Sequence, residues 1–139
     1  MLDQKTFNHK TGTPEQFQAL YDEANRAGHE AATNHTPRPM VVGTAIGLTN
    51  EIDKTKPMYY ESEGLCGFAW VNIKPGNSRF ANYLKKNNLA RPDSYYGGVT
   101  IWVGAYGQSY ERKQKYASAF ASVLREYGID KCYSASRLD

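Results

Sequence analysis

Residues 67–73, GFAWVNI, constrain the fold of this chain more than any other segment. Side chains alternate between the two faces of a strand, which places Phe68 and Trp70 on one face and Val71 and Ile73 on the other. Both faces are largely apolar, as is typical of a strand in the centre of a sheet. A turn follows at once, and a helical pattern begins after it. The chain is therefore expected to build a sheet around this strand and to pack helices against it.

Three segments have the sequence pattern of helices. The first begins at 13–16, where Thr13 and Gln16 form a capping box around Pro14, and it must end before the prolines of 37–39. The second is predicted from about Ser78 to Asn87, and the third from Ser109 to Gly128. The apolar residues that recur at helical spacing are Phe17, Leu20, Tyr21, Ala24, Gly28 and Ala31 in the first helix, Phe80 and Leu84 in the second, and Tyr116, Ala117, Phe120, Val123, Leu124 and Tyr127 in the third.

Further strands are predicted at 40–48, 58–62, 99–104 and 130–137, with turns or loops at 49–57 and 88–98. The order α-β-β-β-α-β-α-β predicts one α+β domain over 13–139, in which three helices pack on a mixed sheet of about five strands. Residues 1–12 are polar and lack periodicity, which predicts a flexible N-terminal arm. If the strands of the β-α-β-α-β run are parallel, the last two helices both begin at the same end of the sheet, where such folds bind ligands.

The charge of the chain is uneven along its length. Residues 71–139 hold 11 Lys and Arg against 5 Asp and Glu, whereas the whole chain has a net charge of only +3. This asymmetry favours an anionic partner for the second half, although a surface can also be uneven without a partner. The chain has 11 tyrosines, which combine an area for stacking with a polar tip. The absence of a long apolar run and the polar first residues predict a cytosolic protein without a membrane partner.

Signatures of catalysis or of metal binding are weak. His29 and Glu30 begin a pattern like that of zinc proteases, but Thr33 stands where the second histidine is needed. There is no nucleophile elbow, Walker motif or dinucleotide-binding glycine pattern, so no cofactor, metal ligand or catalytic residue is predicted. Cys66 and Cys132 do not make a disulfide framework and are interpreted as two small buried apolar residues.

The turn KPGNSR after the apolar strand is the first candidate binding site. A helix N-terminus presents unbonded N–H groups and a partial positive charge, to which anions bind. The candidate ligands of an anion are Lys74, Gly76, Asn77, Ser78 and Arg79, with the glycine permitting close approach of the backbone. The alternative is an ordinary capped turn with solvated charges.

Three more features are candidates for the same site. Tyr95 and Tyr96 lie beside two glycines and are suited to stacking a base. A second helix start carries cations next to its cap, and an arginine lies on the last strand. Ser109, Arg112, Lys113 and Arg137 complete the predicted set, which favours a ligand that bears phosphate.

Three stretches resemble a family of small accessory proteins of tailed bacteriophages: 64–80 (GLCGFAWVNIKPGNSRF), 97–115 (GGVTIWVGAYGQSYERKQK) and 136–139. The likeness covers roughly residues 14–139 and is strong only in the second half. It implies residence in the cytoplasm of an infected host but supplies no activity. The matching positions are Cys66, Gly67, Phe68, Ala69, Trp70, Lys74, Pro75, Gln108, Ser109, Lys113, Ser136, Arg137 and Asp139.

Together these observations predict a non-catalytic binder of nucleic acid or of a nucleotide signal, acting in host take-over or in counter-defence. Two alternatives stay open. One is a protein–protein inhibitor of a host enzyme or defence component, because surface tyrosines are good anchors of interfaces. The other is a phosphoesterase whose carboxylates, such as Asp130 and Asp139, assemble only in space. The sequence also leaves a homo-oligomer open.

Overall fold

The structure, a computed structural model, describes residues 2–47 and 51–139. Within these ranges the chain forms an α+β domain with three helices, as predicted. The last residue predicted for the strand 40–48, the start of the turn 49–57 and the first residue of the arm lie outside the described residues. The elements are α1 Pro14–Asn34, β1 Met40–Val42, β2 Tyr59–Glu61, β3 Gly67–Ile73, α2 Arg79–Lys86, β4 Arg91–Pro92, β5 Val99–Trp102, α3 Tyr110–Glu126 and β6 Cys132–Leu138.

The prediction of one mixed sheet is wrong. β1 and β2 form a separate two-stranded hairpin, and the other strands form a four-stranded sheet in the order β4-β5-β3-β6, with every pair antiparallel. Ile73 at the end of β3 stands opposite Val99 at the start of β5, and the backbones of Gly76 and Gly98 meet at that end of the sheet. The chain therefore re-enters the sheet beside the end of β3 and runs antiparallel to it.

All three helices contribute to a core on one face of this sheet. Ala69, Val71 and Ile73 of β3 point into that core, where they join Phe80 of α2 and Phe120 of α3. α3 packs on β3 and β6, and α1 packs along α3. The predicted capping box of α1 is present, and the side chains of Ser78 and Ser109 cap α2 and α3. None of the helices in the described ranges is long and apolar enough to cross a membrane.

The segment before α1 packs on the domain, although the sequence predicted a flexible arm. Phe7 is only 8% exposed, and its ring contacts Phe17 and Tyr127 edge-on at centroid distances of 6.0 and 5.9 Å. The carbonyl oxygen of His9 accepts a hydrogen bond of 3.1 Å from the backbone N–H of Phe80. One aromatic residue thus anchors a stretch that is otherwise polar.

The two cysteines differ in environment, and we expect them to differ in reactivity. The interpretation of both cysteines as buried is wrong for Cys66, which is exposed, whereas Cys132 is buried, and burial raises the pKa of its thiol to about 12. Since the thiolate is the reactive form, a thiol reagent at neutral pH should label one cysteine per native chain and two per unfolded chain. Cys66→Ser should abolish labelling of the native protein. Rapid labelling of that variant would contradict the burial of Cys132.

Candidate functional site

The two helix starts that the sequence assigned to one site lie at opposite ends of the sheet. β3 leads into α2 and β5 leads toward α3, and these two strands are antiparallel neighbours. The prediction that both starts meet at one sheet end required parallel strands, and it is wrong. The predicted set of ligand-binding residues is accordingly divided among separate surfaces.

At the KPGNSR turn, several of the polar groups that could bind an anion are bonded within the chain. Ser78 is buried, and its Oγ accepts a hydrogen bond of 3.0 Å from the N–H of Ala81. The N–H of Phe80 is bonded to the segment before α1, as described above. The Nε of Arg79 donates to the carbonyl oxygen of Gly12 at 3.2 Å. This turn therefore has the features of the alternative reading, a capped helix start.

The remaining residues of the turn point in other directions. Gly76 packs against the backbone of Gly98. A Cβ added to Gly76 would lie 3.1 Å from the Cα of Gly98. Asn77 is exposed, and its carbonyl oxygen accepts from the side chain of Asn82. The side chain of Lys74 lies beside Gly97 and Gly98, whereas that of Arg79 contacts Gly12.

The start of α3 is also engaged in structural contacts. Ser109 is 2% exposed, and its Oγ donates to the carbonyl oxygen of Glu63 at 3.1 Å. Arg112 pairs with the Glu63 carboxylate at 2.7 Å and donates to the carbonyl oxygen of Ala32 at the end of α1, also at 2.7 Å. Lys113 is buried and donates to the carbonyl oxygen of Gly67. These side chains join α1, the segment before β3 and α3.

The face of the four-stranded sheet opposite the core is rich in aromatic residues; we call it the open face. Trp70 of β3 pairs in register with Trp102 of β5, and their rings lie 5.1 Å apart. Phe68 lies one step along β3, with its ring 6.4 Å from that of Trp102. Tyr133 stands opposite Asn72 in register, on the edge strand β6. Trp102 and Tyr133 are 54% and 55% exposed, so this face carries large aromatic surfaces in contact with solvent.

A groove of about 580 Å³ runs over this face. Three of the residues predicted from the sequence line it, namely Tyr95, Tyr96 and Arg137. The structure therefore brings these three together and leaves the other predicted residues outside the groove. The full lining is Trp70, Asp93, Tyr95, Tyr96, Thr100, Trp102, Ala135, Ser136 and Arg137.

The two tyrosines are positioned by a chain of hydrogen bonds that begins inside the sheet. The buried amide of Asn72 donates to the hydroxyl of Thr100 at 3.2 Å, and Thr100 donates to Oδ2 of Asp93 at 2.7 Å. Oδ1 of Asp93 accepts from the backbone N–H groups of Tyr95 and Tyr96 at 2.9 and 2.8 Å. The loop thus holds both rings at the rim of the groove, and their centroids lie 4.6 Å apart.

Gly98 makes this loop conformation possible. Its φ is +67°, and a Cβ added there would lie 2.2 Å from the carbonyl oxygen of Ile73. Any side chain would push the loop away from β3 or strain the backbone. Gly98 therefore serves a close approach of two backbone segments.

Asp93 should make the stability of this loop dependent on pH. Its hydrogen bonds, first of all the one from Thr100, lower the pKa of the carboxyl group from its ordinary 3.8. A lowered pKa means that the stabilisation is complete above about pH 3.8 and is lost as the pH falls through the folded-state value. We expect Asp93→Asn to unfold more easily than the wild type in urea at about pH 7, and the difference to shrink toward about pH 3. A difference that stays constant with pH would contradict this role.

Positive charges border the open face. The guanidinium carbon of Arg137 lies 5.4 Å from the centroid of the Phe68 ring, which is a cation–π contact. Arg91 pairs in register with Thr100 and is exposed on the same face. Lys74 is close enough to Asp93 to contribute to the lowering of its pKa. The one carboxylate that lines the groove, that of Asp93, accepts three hydrogen bonds from its own loop and sheet.

Sequence reasoning missed the exposure of Trp102, because tryptophans in strands are mostly buried, as Trp70 is at 9% exposure. One signal was present. The residues that alternate with the apolar ones, Asn72 on β3 and Thr100 on β5, are polar, which indicates a face without a helix packed on it. The predicted loop 88–98 also contains the short strand β4, whose two residues were too few to recognise.

Comparisons of the chain with protein-family models, with curated proteins and with solved structures gave no match. Among residues 2–47 and 51–139, no group of three or more His, Cys, Asp or Glu side chains could hold a metal ion. Asp130 and Asp139, the carboxylates considered for a phosphoesterase, lie just beyond the two ends of β6. Nine residues of extended chain put them roughly 30 Å apart, so these two do not share a site.

Proposed function

We propose that the open face binds single-stranded nucleic acid, with bases stacked on its aromatic side chains and phosphates held by the cations at its rim. The observation that carries the proposal is the exposure of Trp102 beside Trp70 on a sheet face without a helix. Contiguous exposed apolar patches on a protein surface mark sites of interaction. Four-stranded sheets with aromatic residues on an open face are a recurring means of stacking bases of single-stranded RNA.

A strand of several nucleotides fits this face better than a free nucleotide does. The aromatic residues are spread over β5, β3, β6 and the 93–98 loop, so several bases can stack at once. Strand spacing makes the four-stranded face roughly 14 Å wide. Sites for small ligands usually enclose most of the ligand surface, whereas Tyr95 at the rim is 84% exposed.

Binding should be measured by fluorescence anisotropy with labelled single-stranded DNA and RNA of about ten nucleotides, a length typical of such sites. We assume that Arg137, Arg91 and Lys74 each neutralise one phosphate. A plot of the logarithm of the binding constant against the logarithm of the salt concentration should then have a slope of about −2. Affinity would then drop about 20-fold between 50 and 200 mM salt. No binding of either nucleic acid at about 50 mM salt would overturn the proposal. If mononucleotides at equal concentration compete with the oligonucleotide, the ligand of this face is a nucleotide and not a single strand.

Two arginines allow a charge-matched test of where the ligand binds. Arg137 lines the groove of the open face, whereas Arg79 lies between α1 and α2 on the helical side of the sheet. Arg137→Ala should weaken binding about tenfold, in the range measured for hydrogen-bonded charges, and reduce the salt slope by about one phosphate. Arg79→Ala removes the same charge and should leave affinity unchanged. Equal losses in the two variants would place the site elsewhere.

The resemblance to phage accessory proteins supplies a biological setting for this proposal. A binder of single strands in the cytoplasm of an infected bacterium would act on replicating phage DNA or on transcripts during host take-over or counter-defence. Crosslinking in infected cells, followed by sequencing of the attached nucleic acid, would test this setting. If the wild type recovers no more nucleic acid than the Trp102→Ala variant does, the result would count against this setting.

A second candidate function rests on the β1–β2 hairpin. Tyr59 and Tyr60 of β2 are 74% and 69% exposed, and Val41 of β1 is 47% exposed. Exposed tyrosines are frequent anchors of protein–protein interfaces. This surface therefore suits the alternative function, inhibition of a host protein by direct binding. Pull-down from nuclease-treated host lysate, with Tyr59→Ala and Tyr60→Ala combined as the control, distinguishes this candidate from nucleic-acid binding. One stoichiometric host protein that the control loses would support it.

A further inference from the structure

We propose that β6 pairs with β6 of a second copy of this chain, antiparallel and about a two-fold axis at Ala135. The four-stranded sheets of the two copies then join into one sheet of eight strands. The inference rests on which edge of the sheet is exposed, on the direction of its backbone groups and on the residues that the pairing brings together.

The two edges of the four-stranded sheet differ. β4, at one edge, has only two residues, and one of them is Pro92, which blocks further pairing. β6, at the other edge, has seven residues and no proline, and it pairs with β3 along its whole length. Ser134 and Ala135 in its middle are exposed, although their side chains are small. Long, regular edges of this kind are templates for pairing with another chain.

The hydrogen bonds to β3 show which backbone groups of β6 remain at the free edge. The N–H of Lys74 donates to the carbonyl oxygen of Lys131, and the N–H of Asp139 donates to that of Cys66. In an antiparallel ladder, alternate residues bond to the same neighbour. Positions 131, 133, 135, 137 and 139 therefore face β3, and the backbone groups of Ser134, Ser136 and Leu138 are directed outward. The outward carbonyl of Cys132 accepts from Arg125 at 2.9 Å, which limits the ladder at that end.

The sequence KCYSASRLD is complementary to itself when it is paired about Ala135. Lys131 then lies opposite Asp139 of the second copy, which joins opposite charges, and Tyr133 lies opposite Arg137, which joins an aromatic ring and a guanidinium. Ser134 lies opposite Ser136, and their outward backbone groups form the hydrogen-bonded pairs. The Tyr133 and Arg137 pairs fall at positions without hydrogen bonds, where opposing side chains are closest.

Neighbouring registers are less favourable. A two-fold axis at Ser134 would place Lys131 opposite Arg137 of the second copy, which brings like charges together. An axis at Ser136 would place Ala135 opposite Arg137 and leave Lys131 without an opposing residue within 131–139. Outward backbone groups oppose outward backbone groups in all three registers, so the charges are what favour the axis at Ala135.

One consequence of this pairing rests on the proposed function. Paired strands keep their side chains on a common face, so the open faces of the two copies become continuous across the new junction. Three strand spacings separate Trp70 from Trp70 of the second copy, which is roughly 14 Å. A single strand of nucleic acid can then contact both copies, and its binding site is about twice as long as that of one copy.

The pairing is tested by sedimentation equilibrium of the full chain at about 100 μM, where a dimer with a micromolar dissociation constant is almost fully formed. We expect a dimer. Ser134→Pro removes an outward N–H that the fold itself does not use, so this variant should be a folded monomer. Ser134→Thr keeps the N–H and should remain a dimer. A monomeric wild type, or a dimer that survives Ser134→Pro, would overturn the proposal.

A charge exchange tests the register and does not depend on the folding of the proline variant. Lys131→Asp places two carboxylates opposite each other and should weaken the dimer about tenfold or more. Lys131→Asp combined with Asp139→Lys restores opposite charges and should recover most of that loss. Failure of the double variant to recover would overturn the register. If the wild type is monomeric but binds oligonucleotides, only the pairing fails; if it is dimeric and binds none, only the proposed function fails.

Discussion

Trp102→Ala is expected to weaken the binding of single-stranded nucleic acid by about 5- to 150-fold. This range corresponds to the loss of about 1–3 kcal/mol, the usual contribution of one base stacked on an aromatic side chain. The indole is 54% exposed and lies 5.1 Å from the ring of Trp70, so it is available to a ligand. Titration of the variant with a labelled oligonucleotide gives the effect directly, and circular dichroism checks that the fold is kept.

Tyr59→Ala is the matched control for this prediction. Tyr59 is 74% exposed, but it lies on the β1–β2 hairpin and not on the four-stranded sheet. Its removal should change affinity by less than twofold. If Trp102→Ala binds the oligonucleotide with an affinity within twofold of the wild type, Trp102 does not stack on a base and the proposed role of the open face is wrong. A large loss in Tyr59→Ala alone would move the nucleic-acid site to the hairpin.

Phe120→Ala is expected to lower the free energy of unfolding by about 3–5 kcal/mol. The ring is fully buried on α3 and contacts Tyr21 of α1 and Tyr116 at centroid distances of 5.5 and 5.8 Å. Its removal leaves a cavity between the two longest helices and the sheet. Since domains of this kind have a total stability of about 5–15 kcal/mol, this loss is a large share of it. Urea denaturation, followed by circular dichroism, measures the change.

Ser122→Ala provides the reference on the same helix. Ser122 is exposed, so its truncation should change stability by no more than about 0.5 kcal/mol. A loss below about 1 kcal/mol in Phe120→Ala would mean that the core between α1 and α3 is less tightly packed than the structure indicates.

The helices of this protein could be predicted from local sequence because their signals are local. The capping box at Thr13 and Gln16, the cap at Ser109 and the turn at Gly128 define where α1 begins and where α3 begins and ends. The apolar spacing identified most of the buried residues, although Ala32 and not Ala31 faces the core. Each of these features depends on residues three or four positions apart, whose relation in a helix is known in advance.

The candidate site could be predicted only in part. Tyr95, Tyr96 and Arg137 were predicted to contact a ligand, and the structure places all three around one groove. Lys74 and Arg79 were placed together because they are close in sequence, yet they contact different parts of the chain. Ser109, Arg112 and Lys113 carry the residue types of a ligand site, but their partners are Glu63, Ala32 and Gly67, which no sequence spacing indicates.

By itself, the sequence determined the α+β class, the number of helices, the central position of the strand 67–73 and the presence of an uneven charge. The tertiary structure alone decided the direction of the strands, because that depends on where the chain after α2 re-enters the sheet beside β3. It also decided which aromatic side chains of the uncovered face reach solvent. Polar Asn72 and Thr100 mark that face in the sequence, but the packing leaves Trp102 54% exposed and Trp70 only 9% exposed beside the groove.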